Sequence, residues 1–462
     1  MSTTTRTTEQ AIESLKPILA DRLVTSQSVR EHHSKDLSRF PAVLPDAVAF
    51  PNNEQEIVEI VRTSAEHRVP IIPVGALSSL DGHIIPVQGG ISVNTRDMNQ
   101  ILEIRPEDML AVVEPGVTRK QLNTALRDTG LMFPIDPGAD ATIGGMASTR
   151  ASGTTAVRYG TMRENVLALR VVTPDGTVIQ TGSRAKKSST GYDLTRLYVG
   201  SEGTLGIITE LTVRLHPIPE TISSALCSFP DAKSAVETVI EAVQYGIPVA
   251  RVEFLDEVSI AAVNAYSKLN LTVAPTLFFE FHGTPSWVAE QSQIAEEIST
   301  AHGGTGFHWS TDADERTKLW QARHDSLWAV RALKPGCEVY GGDICVPISQ
   351  LADIIVAASE DINASFLDGQ VLGHVGDGNF HALYLIDPDK PEDYAEAERL
   401  ADRLVQRALA VGGTASGEHG IGIGKLKFLR KEHGAALEVM KRIKQALDPL
   451  GIMNPGKMGQ EG

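Results

Sequence analysis

The chain has 462 residues, 42% of them hydrophobic, which is enough for two domains with a core each and excludes a disordered polypeptide. A formal net charge of -16 argues against nucleic acid as the main partner, because phosphate binding needs clustered Lys and Arg. Three cysteines, Cys227, Cys337 and Cys345, without CxxC spacing exclude a disulfide framework and a zinc ribbon and point to a reducing compartment.

Residues 1–19 balance Arg6 and Lys16 against two glutamates and lack an apolar core of signal-peptide length, so no secretion signal is expected. No apolar run approaches the roughly 20 residues that span a bilayer. The expectation is a cytoplasmic protein; any membrane contact would be peripheral, at the inner membrane. Over residues 52–68, Ile57, Val61 and Ala65 recur every four positions behind an asparagine, the pattern of an amphipathic helix. Residues 69–74 form a strand, and Pro70 and Pro73 suit a sheet edge. The loop from Gly75 to Gly82 follows, lacking both the GxGxxG spacing of a dinucleotide fold and a Gly-Lys-Ser/Thr ending. Alone, such a loop is more often a plain turn.

Thr118 and Gln121 form a capping box for a helix bearing Leu122, Ala125 and Leu126, which Gly130 can end. Small residues then crowd positions 134–160. That belt cannot build a core, but its bare backbone can wrap a large flat ligand. With the 75–82 loop it suits a pyrophosphate, which needs converging N–H donors, and an isoalloxazine ring, which needs a flat wall. Strands resume at 168–172 and 176–181, and the glycine-punctuated stretch 199–208 runs into another.

A boundary is expected near 216–221, where prolines punctuate. Beyond it, strands such as 252–255 and 277–281 alternate with helices such as 290–302, a separate α+β domain. Arg323 sits in a helical pattern where an arginine is ordinarily solvated. A helix over 392–411 starts at Pro391 and stops at Gly412. The turn-rich tail 448–457 is expected to return to the first domain.

The stretch Gly373-His374-Val375-Gly376-Asp377-Gly378-Asn379-Phe380-His381 is a turn between two apolar runs, so His374 closes one strand and His381 opens the next at the same sheet end. Gly417-Glu418-His419-Gly420 adds a carboxylate and a third imidazole in a glycine-rich loop. One histidine would more often be structural; three with a glutamate point to a functional cluster. His374, His381 and Glu418 as ligands suit Zn, Mn or Fe with open positions, leaving His419 as a base. The other ten histidines, His32, His33, His67 and His216 among them, read as surface or packing residues. On these residues alone a metal-dependent hydrolase, with the glycine belts as mere loops, stays open.

Pro137-Gly138-Ala139-Asp140, Ala151-Ser152-Gly153, Arg158-Tyr159-Gly160-Thr161 and Gly200-Ser201-Glu202-Gly203-Thr204-Leu205-Gly206 together resemble the flavin-binding domain of the vanillyl-alcohol-oxidase superfamily. The two histidine motifs with Asn454-Pro455-Gly456-Lys457 resemble its FAD-linked D-lactate, glycolate and D-2-hydroxyglutarate dehydrogenases. Ala322-Arg323-His324, Pro335-Gly336-Cys337 and Val346-Pro347-Ile348-Ser349 are most similar to the cytochrome-linked D-lactate type. The resemblance runs from about Asp36 to Lys457.

It implies an α+β chain. A two-subdomain FAD-binding domain of the PCMH type, with an N-terminal helical segment, covers residues 1–218. A substrate or cap domain with an antiparallel sheet covers 219–430, and 431–462 returns to the first domain. FAD is expected on Gly75, Ala76, Leu77, Ser78, Ser79 and Leu80 for the pyrophosphate, with Pro137, Gly138, Thr142, Gly145, Ser148, Ser152, Gly153 and Tyr159 lining the flavin. Gly203, Ile208 and Asn454 complete the set. Attachment is expected to be non-covalent, with His83 the residue that could carry a covalent link.

Relatives usually have glycine where Leu77 stands; if that position needs positive φ, the cost is roughly 1–2 kcal/mol. Diacid-specific relatives carry a lysine just before the strand that here reads Tyr340-Gly341-Gly342-Asp343, so glycines favour a monocarboxylic substrate. The resemblance implies oxidation of a short D-2-hydroxy acid, most of all D-lactate, with Arg323 clamping its carboxylate and His419 as base. Glycolate and D-2-hydroxyglutarate are the alternatives. Electrons would pass to cytochrome c, a quinone or an electron-transfer flavoprotein, and a homodimer is the expected assembly.

Overall fold

The computed structural model describes residues 3–458 and divides into two units. The first takes in the described residues up to Ser152, then Gly160–Ile218 and the chain from Glu418; the second holds Gly153–Tyr159 and Pro219–Gly417. The chain thus rejoins the first unit at Glu418 rather than at 431, and a short piece of the small-residue belt departs from it.

In the first unit a four-stranded sheet has the order Leu23–Val24, Ala47–Ala49, Ile91–Asn94, Ile71–Val74. The proline-bearing strand is the edge, where the N–H that Pro73 lacks costs no ladder bond. Its last three strands run parallel. Helix Glu54–His67 starts where the Asn53 side chain accepts from the Glu56 N–H and buries Ile57, Val58, Ile60 and Val61. Those residues join Ala11, Leu15 and Leu19 in one core.

A five-stranded antiparallel sheet follows, ordered Ile101–Arg105, Leu110–Val113, Ile207–Arg214, Val166–Val172, Val178–Gln180, with a core of its own. The Thr118–Gln121 capping box forms. Its helix ends at Ala125, however, and Gly130 sits in the turn beyond at φ 72°. One expectation is overturned. Ile143, Met146, Ala147 and Ala151 of the small-residue belt belong to this core, because helix Ile143–Thr149 packs closely wherever its side chains are short.

The second unit is built on one antiparallel seven-stranded sheet. Its order is Thr305–Ser310, Thr221–Ser228, Thr276–Gly283, Arg251–Leu255, Gly369–Gly373, Asn379–Ile386, Glu338–Cys345. Side chains alternate between faces along each strand. On one face Leu255, Phe278, Leu372 and Leu385 pack against Trp320, Ala322, Ala329 and Val330 of helix Ala313–Leu333. A Cβ at Gly342 would point to the other face, 3.2 Å from Leu404 of helix Pro391–Ala410.

Candidate active site

Strand register assembles a polar cluster in the second unit. Leu255 pairs with Leu372 and Phe254 with Gly373, so the next step sets His374 opposite Glu253. Leu372 also pairs with His381, and His381 with Asp343. Glu253, His374, His381 and Asp343 therefore share the face covered by helix Ala313–Leu333, beyond the end of its apolar patch. The Gly376-Asp377-Gly378-Asn379 turn joins the two histidine-bearing segments, with Gly378 at φ 86°. A Cβ there would lie 2.2 Å from the Val346 carbonyl oxygen, so only glycine fits.

Glu253 has no exposed side-chain surface. One oxygen meets His374 Nδ1 at 2.6 Å and the other accepts from Arg323 Nε at 2.7 Å. Burial pushes this carboxyl up, but its pairing with His374 and Arg323 outweighs that and holds it below the ordinary glutamate value. With a carboxylate on Nδ1, Nε2 is the nitrogen of His374 able to ligate a metal. The two imidazoles stand edge to face with centroids 5.4 Å apart. His381 Nδ1 lies 3.6 Å from the buried Asp343, and that carboxylate accepts from Asn379 Nδ2 at 2.8 Å and Ser416 Oγ at 3.0 Å.

Gly417 touches this cluster. A Cβ on it would fall 1.9 Å from Asn379 Nδ2 and 3.0 Å from Asp343 Oδ1. Glu418 is the next residue along the chain. Its Oε2 accepts from the Ser152 hydroxyl at 2.7 Å, while His419 beside it is half-buried. The two imidazoles of the second unit are side chains able to ligate a divalent ion.

In the first unit, the Gly75–Leu80 loop leaves the carboxyl end of a parallel strand, where open sheets of this kind take ligands. Leu77 has φ 60°, the left-handed conformation. A Cβ at Gly75 would lie 2.4 Å from Thr142 Oγ1, and that hydroxyl accepts from the Gly145 N–H. Ser148 and Glu202 are joined backbone to backbone, and a Cβ at Gly203 would meet Pro73 at 2.9 Å. Asn454 donates to the carbonyls of His83 and Glu202 at 3.0 and 2.7 Å, while its N–H reaches Ile71.

The loop, Thr142, Gly145 and Gly203 thus gather at the carboxyl end of strand Ile71–Val74, Ser148 is tied to Glu202, Asn454 is tied to Glu202 and to the strand's first residue, and Ile208 is buried on strand Ile207–Arg214 of the other sheet. This glycine-limited backbone cradle fits an FAD pyrophosphate. Ala76, Ser78, Ser79 and Leu80 complete the loop, and the Ser79 hydroxyl is tied to Asp36 at 2.8 Å. Pro137 and Gly138 are less constrained: Gly138 is exposed, and a Cβ there meets nothing within 4 Å. Gly153 and Tyr159 belong to the second unit, where the Tyr159 hydroxyl bonds His282 Nδ1 at 2.7 Å and His282 Nε2 meets Glu280 at 2.7 Å.

Sequence reasoning passed over two acids. Glu253 is the one charge inside Val252-Glu253-Phe254-Leu255, and an acid in an apolar strand was the available signal. Glu202, at φ 53°, accepts from the N–H groups of Ile421 and Gly422 at 2.7 and 2.9 Å and lies 3.3 Å from His83 Nε2. It pins the loop that carries His419. Burial opposes its charge, yet His83 and the two N–H groups hold its carboxyl low; the same pairing holds His83 high against burial.

The model of FAD linked oxidases, C-terminal domain, matches residues 218–458, and that of the FAD binding domain matches 45–182. A "Probable D-lactate dehydrogenase, mitochondrial" of Danio rerio is 48% identical, covering 99% of this chain and 93% of its own. The cytochrome-type mitochondrial D-lactate dehydrogenase of Arabidopsis thaliana is 47% identical over 97% of this chain and 80% of its own. A glycolate oxidase subunit of Bacillus subtilis is 36% identical over 94% and 93%. Among solved structures, p-cresol methylhydroxylase superposes with a TM-score of 0.80 at 19% identity, covering 99% and 97% of the two chains, a likeness of fold. The hydrolase alternative falls with the flavin-domain match, and the chain belongs to the family of FAD-linked oxidases.

Proposed function

We propose that the chain oxidises a short D-2-hydroxy acid, D-lactate to pyruvate, with FAD as the oxidant and a cytochrome, quinone or electron-transfer flavoprotein as the electron acceptor. The observation that carries this reading is a buried carboxylate holding both an arginine fork and one imidazole of a histidine pair, so a carboxylate-binding group and a metal-binding group share one frame. The names of the Danio and Arabidopsis relatives support the substrate; the Bacillus relative keeps glycolate as the second candidate.

Bound FAD would accept hydride from the α-carbon, and a divalent ion on His374, His381 and Glu418 would lower the pKa of the substrate hydroxyl. Arg323 offers its two terminal nitrogens to the substrate carboxylate in a planar fork. Proximity of fork and imidazoles then fixes the hydroxyl end. His419 takes the hydroxyl proton as general base. Ser152 orients the Glu418 carboxylate, and Asp343, itself held by Asn379, lies 3.6 Å from His381 Nδ1. Gly341 and Gly342 offer no cation to a second carboxylate, which disfavours 2-hydroxyglutarate.

His83 is enclosed, 4% exposed and held against Glu202, which supports non-covalent FAD. Among the described residues no helix is long and apolar enough to cross a membrane, and contact with a membrane-linked acceptor would be peripheral. The test is anaerobic bleaching of the flavin bands by D-lactate, glycolate, D-2-hydroxybutyrate and D-2-hydroxyglutarate, with metal measured on the same sample. D-lactate should bleach fastest and a divalent metal should be stoichiometric. Colourless protein, or fastest bleaching by the diacid, would refute the proposal.

A further inference from the structure

We infer that Glu253 is a positioning residue that couples capture of the metal to capture of the substrate carboxylate; this deepens the reading above and rests on it. On the same sheet face the apolar residues Leu255, Phe278 and Leu372 lie to one side of it, and His374 stands opposite. A buried ion pair is a poor way to stabilise such a face, since well-packed hydrophobic residues do as well or better. The carboxylate has a different use. Each oxygen is committed to one partner, His374 at 2.6 Å and Arg323 at 2.7 Å, and the two partners come from separate elements, a strand end and helix Ala313–Leu333.

Accepting from His374 Nδ1 keeps the proton there and leaves Nε2 free of one, as a ligand must be. Accepting from Arg323 Nε fixes the guanidinium plane and turns its terminal nitrogens outward as a pair. A neutral amide at 253 can accept with its one oxygen but presents N–H groups to the other partner. It therefore either favours the wrong tautomer of His374 or faces the arginine donor with another donor.

The experiment compares wild type with Glu253→Gln and Glu253→Asp, each purified with FAD. Zn(II) affinity is measured by competition with a chromogenic chelator, KM and kcat for D-lactate with a dye acceptor, and the flavin-to-protein ratio by absorbance. In Glu253→Gln the Zn(II) affinity should fall roughly 10–100-fold, the usual effect of losing a metal ligand's orienting partner. KM for D-lactate should rise about tenfold or more as the arginine loses its charge-assisted bond, with the flavin ratio unchanged. A merely structural role would lower the melting temperature and leave Zn(II) affinity alone.

Zn(II) affinity and KM both within about twofold of wild type would overturn the inference. Should Glu253→Gln fail to fold, Glu253→Asp keeps the charge but reaches one partner at most, so at least one of the two quantities should shift about fivefold; neither shifting would overturn it equally. Wild type without metal would defeat the proposed function and this inference with it, whereas metal-loaded wild type beside an unaltered Glu253→Gln would defeat the inference alone.

Discussion

Leu77 offers a test in which the ordinary order of two substitutions reverses. The residue sits at φ 60° in the 75–80 loop, half-buried against Ile72, Val74 and Ile84. Holding a side chain there costs roughly 1–2 kcal/mol. Leu77→Ala keeps that strain and loses part of the apolar contact; half of a leucine's burial is worth about 1 kcal/mol. Leu77→Gly loses the same contact and relieves the strain, while the freer unfolded chain costs roughly 0.4–1 kcal/mol. The glycine variant should therefore match wild type closely and be more stable than the alanine variant by about 0.5–1 kcal/mol.

At unstrained positions alanine wins by a similar amount. For a unit of this size 1 kcal/mol is worth about 2–4 °C in Tm. Calorimetry on flavin-free protein is the assay, so that cofactor release cannot move the midpoint. Leu77→Ala melting level with or above Leu77→Gly would refute the argument.

His419→Ala should retain FAD and metal yet slow anaerobic bleaching by D-lactate about 10²-fold or more, and an unchanged rate removes it as the base. Arg323→Lys should raise KM for D-lactate strongly because a point charge cannot replace the fork; steady-state kinetics with an unchanged KM would place the substrate carboxylate elsewhere. Burial, with Arg214 nearby, pushes His216 down to about 4, and its Nε2 donates to Asn165 at 2.9 Å. Its folded value lies below the unfolded one, so the neutral ring's stabilisation is complete above the unfolded pKa near 6.5 and is lost as pH falls towards 4. His216→Gln should flatten that acid limb in a pH series of Tm values, and an unaltered slope assigns it to other groups.

Much of this was legible because the decisive features are local. A turn flanked by two histidines declared its strands, prolines marked the sheet edge, and a threonine three residues before a glutamine announced its helix. What stayed hidden depends on register between distant strands. Nothing local says that Glu253 and His374 are opposite one another, or that a loop at 421–422 hands its N–H groups to Glu202. The small-residue belt misled for a related reason: lack of bulk reads as lack of core, whereas Ile143, Met146 and Ala147 are buried because their neighbours allow close approach.

The route of the backbone also bears on how the molecule is made. Ile452 and Met453 complete the core built on the four-stranded sheet, Met453 bridges to Ile71, and the Lys457 ammonium donates to the Ile85 carbonyl. A chain emerging from the ribosome leads with most of its flavin half, yet must wait for those last pieces. The inserted sheet, drawn mainly from one continuous stretch, can ripen first, so holdase protection during synthesis matters most for the half that is translated earliest.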